Sequence, residues 1–118
     1  MRVKVSDDGS SVVFRLAPFE MLLALRGKLE VPVDRINSVQ AVPRTEVPHG
    51  PLLRAPGTYI PGLARFGSYG KKPNRHFWAV SKQDPVLVVD LEGWDYSRIV
   101  VGVADAAQTA GSIQVAMS

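Results

Sequence analysis

Residues 86–91 read Val86-Leu87-Val88-Val89-Asp90-Leu91, and residues 98–103 read Arg98-Ile99-Val100-Val101-Gly102-Val103. Both runs are short, rich in β-branched residues, and apolar at successive positions rather than alternate ones. That pattern belongs to strands covered on two sides, by a second layer or by another subunit. Glu92 to Tyr96 and Gln83 to Pro85, on either side of the first run, are turn formers. Chain reversals around doubly covered strands point to a mainly β protein.

Outward from this centre the strand pattern continues. Arg75 to Lys82 and Leu63 to Tyr69 read as strands joined by a turn at Gly70 to Asn74. Near the N-terminus, Val3 to Val5 and Ser11 to Leu16 flank Asp7-Asp8-Gly9, a hairpin signal, and alternation turns Val12, Phe14 and Leu16 inward. Leu29 to Val33 alternates too; Pro32 lacks an N–H and so predicts an edge strand or a bulge. Ile36 to Val42 follows the Asp34-Arg35 turn and ends at Pro43. Helical periodicity occurs twice. At about 17–26, Phe19, Leu22, Leu23 and Arg26 share a helical stripe flanked by Met21 and Leu25, with Pro18 suited to the first helical position and Gly27 to the exit. After Asp105, a good N-cap, Ala106, Ala107, Ala110, Ile113 and Met117 make a weaker stripe; an ending as a strand with Ile113, Val115 and Met117 is the alternative. The expected fold class is mainly β with minor α: two packed antiparallel sheets, an inserted short helix and a C-terminal helix, in one domain spanning 1–118.

Residues 43–62 break every period. Prolines 43, 48, 51, 56 and 61 fall in these twenty residues. They predict a long loop, stiffened by its prolines, with Pro56-Gly57 and Pro61-Gly62 as turns. Charge concentrates in the same part of the chain. The whole protein carries +3, yet residues 44–76 alone carry Arg44, Arg54, Arg65, Lys71, Lys72 and Arg75 against Glu46. Five of the nine aromatic residues lie in 59–78, among these cations. Arg54, Arg65, Lys71, Lys72, Arg75 and His76 are therefore the candidate anion- or partner-binding residues, the first five expected on one face.

Catalytic and cofactor motifs are missing from the chain. Without cysteine there is no disulfide, thiolate metal site or thiol nucleophile. Gly57 and Gly62 have phosphate-loop spacing, but Leu63 stands where the lysine is needed. His49 and His76 have no carboxylate at ligand-like spacing, and His76, beside Phe77 and Trp78, reads as a partly buried strand residue rather than a base. No catalytic residue, metal ligand or cofactor is expected. Asp90 interrupts an apolar strand, and two placements stay open: paired with an arginine of the basic block, or at the point where the strand meets solvent.

At Leu53-Arg54-Ala55-Pro56-Gly57-Thr58 and Pro61-Gly62 the chain resembles a set of short actinobacterial proteins, which themselves resemble the bacterial pleckstrin-homology-like domain families. The likeness runs on through Arg75-His76-Phe77, Val88-Val89-Asp90-Leu91 and Tyr96 to Val101. It also takes in Leu25-Arg26 and Pro32 to Val39, and spans roughly Val12 to Val103. The resemblance implies two packed antiparallel sheets of seven strands closed by a C-terminal helix. It carries over no catalytic residue and no ligand, since function sits in sites rather than in folds.

These readings converge on a non-enzymatic binding or scaffolding module for an unknown protein or anionic ligand, with the basic region presented by a β-sandwich. One alternative is peripheral binding to anionic membrane lipids, where each cation near the surface adds about 1 kcal/mol. A second is nucleic-acid binding, for which aromatics among cations suit stacked bases, although +3 is a small charge for that task. The N-terminus has no apolar core of signal-peptide length, so the expected location is cytoplasmic or peripheral to the inner face of the membrane. A homo-oligomer is also expected. A sandwich buries one face of each central strand; unless the helix with Phe19, Leu22 and Leu23 or the C-terminal helix covers the other, Leu87 or Val88 with Val100 or Val101 stands in a patch that a two-fold dimer hides.

Overall fold

A computed structural model of the chain describes every residue except Leu25, Leu52, Leu53 and residues 61–63; at residues 54–57 it describes the backbone alone. The fold is mainly β, with two sheets and a C-terminal helix. Strands β1 (Arg2–Val5), β2 (Ser11–Arg15) and β3 (Lys28–Pro32) form an antiparallel sheet in that order, so the proline-bearing β3 lies at an edge. The β1–β2 turn closes on Asp8, whose Oδ1 accepts from Ser6 Oγ, Ser10 N and Ser10 Oγ.

The larger sheet holds β4 (Ile36–Val42), β5 (Arg54–Ile60), β6 (Ala64–Lys71), β7 (Asn74–Val80), β8 (Val86–Leu91) and β9 (Arg98–Val101), in the order β4-β8-β9-β7-β6-β5. It departs from the antiparallel expectation at one place. Strand β9 fills the gap between β8 and β7; antiparallel to β8, it runs parallel to β7. The expected loop at 43–62 is shorter than its proline content predicts, because residues 54–60 form β5. That strand pairs only with β6, and its register shifts between Arg54 and Gly57. An edge position and an irregular ladder are what Pro56 requires, since it has no N–H to donate. Pro56-Gly57 thus lies within a strand, and Pro61-Gly62 lies outside the described residues.

The smaller sheet and both helices cover one face of the larger sheet, here the inner face. Val12, Phe14, Leu29 and Val31 meet Phe66, Phe77, Leu87, Val89, Ile99 and Val101 in a single apolar cluster. Helix α2 (Ala106–Met117) adds Ala106, Ala110 and Ile113 to it. Its N-terminus is capped by Asp105, whose side chain accepts from Gln108 N at 3.1 Å. Gln114 Nε2 donates to the Val39 carbonyl at 2.9 Å, which ties α2 to the exposed edge of β4. A bulge between Ile36 and Ser38 turns Ile36 inward with Val39.

Helix α1 (Pro18–Ala24) forms where the sequence predicts it but is rotated. Glu20 and Ala24 are buried, whereas Phe19 and Leu22 are 57% and 75% exposed. A buried carboxylate requires partners, and Glu20 Oε1 has two: the Ala17 N–H at 2.7 Å and the N-terminal ammonium at 3.2 Å. The oligomer expectation loses its motive, since Leu87, Val88, Val100 and Val101 are all buried within the chain itself.

Candidate functional site

The opposite, outer face of the larger sheet is covered by residues 43–51, a strap rather than a layer, which begins with a single 3-10 turn at Arg44–Glu46. Alternation along β6 and β7 turns Arg65 and Tyr69, His76, Trp78 and Val80 to this face, where Val86, Val88 and Val100 join them. Val47 of the strap is buried in that cluster. One end of the strap is pinned at Arg44, whose backbone N–H donates to Asp84 Oδ1 at 3.0 Å and whose guanidinium donates to the Ser81 carbonyl. The other end is held by Arg65, whose terminal nitrogens donate to the carbonyls of His49 at 2.5 Å and Pro51 at 2.8 Å. Two glycines make the close contacts. A Cβ at Gly50, which has φ +65°, would lie 2.4 Å from the His76 ring. A Cβ at Gly70 would lie 2.6 Å from Pro51 Cγ.

Arg65 is only 4% exposed, and among the described residues no carboxylate pairs with it. Its charge rests on aromatic faces. The guanidinium carbon is 3.9 Å from the Tyr69 ring centre, 4.1 Å from that of Trp78 and 5.3 Å from that of Tyr59. Burial lowers its pKa from the usual arginine value, yet arginine stays charged in proteins. Three side-chain nitrogens on this face are buried without a hydrogen-bond partner among the described residues: the donors Arg65 Nε and Trp78 Nε1, and His76 Nδ1. Each costs about 1–3 kcal/mol when left unsatisfied. Burial, and then the nearby Arg98 and Arg65 charges, push the His76 pKa down to about 4. At neutral pH the ring is therefore uncharged, with Nε2 3.2 Å from Asn74 Oδ1.

Between the strap and the sheet lies a cleft of about 380 Å³, open to solvent, with Arg65 and Trp78 in its wall. Arg44, Val47, Tyr59 and Val80 also line it. Its size is near the lower end for small-molecule sites, roughly 300–1,000 Å³.

The candidate residues expected on one face are not brought together. Arg65 lies buried on the outer face, with His76 nearby on the same side. Arg75, one position from His76 in β7, belongs to the inner side, and its guanidinium sits 4.6 Å over the Tyr96 ring. Lys71 and Lys72 are exposed at the β6–β7 turn, and Lys72 pairs with Asp95 at 2.9 Å. The Lys72 hydrogen bond, followed by the charges of Lys72, Arg75 and Arg26, holds the Asp95 carboxyl below its usual range. The Arg54 side chain lies outside the described residues. The aromatics that suggested base stacking are largely core, with Phe66, Tyr69, Phe77 and Trp78 all buried. Asp90 resolves into neither expected placement: half-buried, it pairs across strands with Arg98 at 2.6 Å, an arginine outside the basic block.

Sequence reasoning missed Val47, Tyr59, Trp78 and Val80 as neighbours of Arg65. A signal was present: alternation through Arg65, Phe66 and Tyr69 in a sheet covered on both faces forces either Arg65 or Phe66 into contact with a buried layer. Among the described residues no three His, Asp or Glu side chains cluster to hold a metal ion, and no helix is long and apolar enough to cross a membrane. Comparison with known proteins finds no matching family model, no matching curated protein and no matching solved structure.

Proposed function

We propose that the chain is a non-enzymatic binding module whose site is the cleft between the strap and the outer face of the larger sheet, with an anion-bearing ligand as its guest. The observation that carries this reading is Arg65, a buried cation in the wall of an open cleft, paired with no carboxylate among the described residues. A cation withdrawn from water without a counter-charge is costly, and an incoming anion supplies what the fold leaves out. The pleckstrin-homology-like relationship belongs to the same proposal. Two sheets and a C-terminal helix support it, while nine strands and the parallel β7–β9 pair depart from the simplest form of it.

A thermal-shift screen of small anions and neutral compounds tests the reading. A ligand present at about 100 times its Kd stabilises the folded chain by roughly 2.7 kcal/mol, so anions should raise Tm. Val80→Phe, which enlarges an outer-face wall residue of the cleft beside Arg65, should abolish the response. A screen without hits, or an unchanged response in Val80→Phe, overturns it. One observation favours a second reading, attachment to anionic membranes. Phe19 and Leu22 stand exposed three residues apart on α1, shortly before Arg26. Sedimentation with anionic vesicles that is lost in Phe19→Ser and retained in Val80→Phe would select it.

A further inference from the structure

The β6–β7 hairpin has the Arg65–Val80 pair of the cleft at one end and the Lys71–Asn74 pair at the other. At that second end, three cations from separate segments gather around one carboxylate. Strands β7 and β9 are parallel, so the turn before β7 and the loop before β9, residues 92–97, emerge side by side. The turn carries Lys72, β7 carries Arg75 near its start, and the loop carries Asp95 and Tyr96. The buried Tyr96 ring holds two guanidinium groups: the Arg75 carbon is 4.6 Å from its centre, and that of Arg26, from the link between α1 and β3, is 5.8 Å away. Lys72 Nζ lies 2.9 Å from Asp95 Oδ1, and the charges of Arg75 and Arg26 also act on that carboxylate.

Among the described residues neither arginine is ion-paired. Arg26 commits only Nε, to the Lys28 carbonyl at 3.3 Å, and the Arg75 guanidinium donates to no acceptor. Glu92, the other carboxylate of the loop, is engaged on β4, with Oε2 3.5 Å from Asn37 Nδ2. Three cations against Asp95 leave two positive charges over. Stacking on Tyr96 holds the guanidinium groups before a ligand arrives, so little rotamer freedom is lost on binding. The Lys72–Asp95 pair is more than half exposed on both sides and such a pair is worth little, so a stronger anion can take the place of Asp95. A phosphate monoester brings nearly two charges and three acceptor oxygens, and arginine forks receive it bidentately. We infer that Arg26, Lys72 and Arg75 form a second anion site, separate from the cleft, that takes a phosphate monoester group.

The chain has two tryptophans, one at each site: Trp78 in the cleft wall, and Trp94, whose ring centre is 6.0 Å from that of Tyr96. Titration of the ¹⁵N-labelled full chain with phenyl phosphate and with phenyl sulfate, which carries a single charge, therefore reads the two sites separately. Phenyl phosphate should move the Trp94 indole resonance to saturation, with a Kd at least about fivefold below that of the sulfate. Arg75→Gln should weaken this response about tenfold, and Arg26→Gln or Lys72→Gln about threefold. Asp95→Asn, which removes the resident carboxylate, should tighten it about threefold. A Trp94 resonance that phenyl phosphate leaves in place, equal affinity for the sulfate, or no tightening in Asp95→Asn overturns the site and leaves the cleft to be judged at Trp78. A thermal response to phosphate monoesters that survives Val80→Phe and is lost in Arg75→Gln belongs to this site rather than to the cleft. Should Arg75→Gln fail to fold, the opposite signs of Lys72→Gln and Asp95→Asn, both at exposed positions, still decide. Vesicles of phosphatidylcholine with phosphatidate assign the source: sedimentation lost in Lys72→Gln places the group on a lipid, and saturation by phenyl phosphate without sedimentation places it on a soluble ligand.

Discussion

The two faces of the larger sheet are covered in different ways. The inner face meets the smaller sheet and both helices in an apolar cluster, where the buried hydroxyls of Ser68 and Tyr96 satisfy one another at 2.6 Å. On the outer face a strap of residues 43–51 lies over Arg65, His76 and Trp78, each with a buried nitrogen lacking a partner. Dispersion and area burial favour the first arrangement; the second gives up satisfied polar groups for a cleft and an unpaired charge. Natural folds break their local packing rules mainly where they bind or react. The contrast therefore sets a closely packed core on one side of the sheet and the proposed site on the other.

The largest expected effect comes from the inner face. Phe77 is wholly buried, and Phe77→Ala should cost about 3–5 kcal/mol, read as a lowered urea midpoint. A loss below 1 kcal/mol would break the contrast at its stable end. On the outer face, Arg65→Ala should cost about 2–3 kcal/mol, because it takes charged donors from the His49 and Pro51 carbonyls. Its signature should be local, with faster amide exchange in residues 44–50 and unchanged protection in β8 and β9.

The pH dependence sharpens the comparison, because His76 belongs to the strap side. Folded, His76 stays neutral down to about 4, while its ordinary pKa is 6.5. As pH falls between those values the unfolded chain takes up the proton first. Stability is thus full above pH 6.5 and declines by roughly 3 kcal/mol towards pH 4. His76→Gln should flatten that part of the urea-midpoint profile. Asp8, held at about 2 by its serine hydrogen bonds, acts in a separate window. Its contribution is present above its ordinary 3.8 and is lost as pH falls towards 2, so this lower part of the profile should persist in His76→Gln.

The two smallest effects have opposite signs. Gly50→Ala places a side chain at φ +65° and against the His76 ring, and should cost about 1–2 kcal/mol. Gly111→Ala in α2 meets nothing within 4 Å and should stabilise by about 0.5–1 kcal/mol, by helix propensity alone. Thermal denaturation of the two variants measures both. A neutral Gly50→Ala would mean that the strap does not need its close approach to His76.

Local chemistry by itself determined much of this protein. The Asp8-Gly9 turn, the edge position required by Pro32, the Asp105 cap and the doubly apolar β8 and β9 all follow from short-range rules, because turn residues, N–H groups and alternation act within a few positions of the chain. Those rules also placed α1, but not its rotation. Phe19 with Leu22 and Glu20 with Ala24 have equally helical spacings, and only the buried partners of Glu20 chose between them. Strand β5 was hidden because Pro56 argues against a strand until an edge neighbour and a shifted register make room for it. The basic block was visible as composition, yet its division was not: Arg65 inward on one face, Arg75 over Tyr96 on the other, Lys72 paired to Asp95. Charge can be counted along a chain, but the sheet's register and the strap's path decide which charges share a surface, because both are fixed by contacts between residues far apart in sequence.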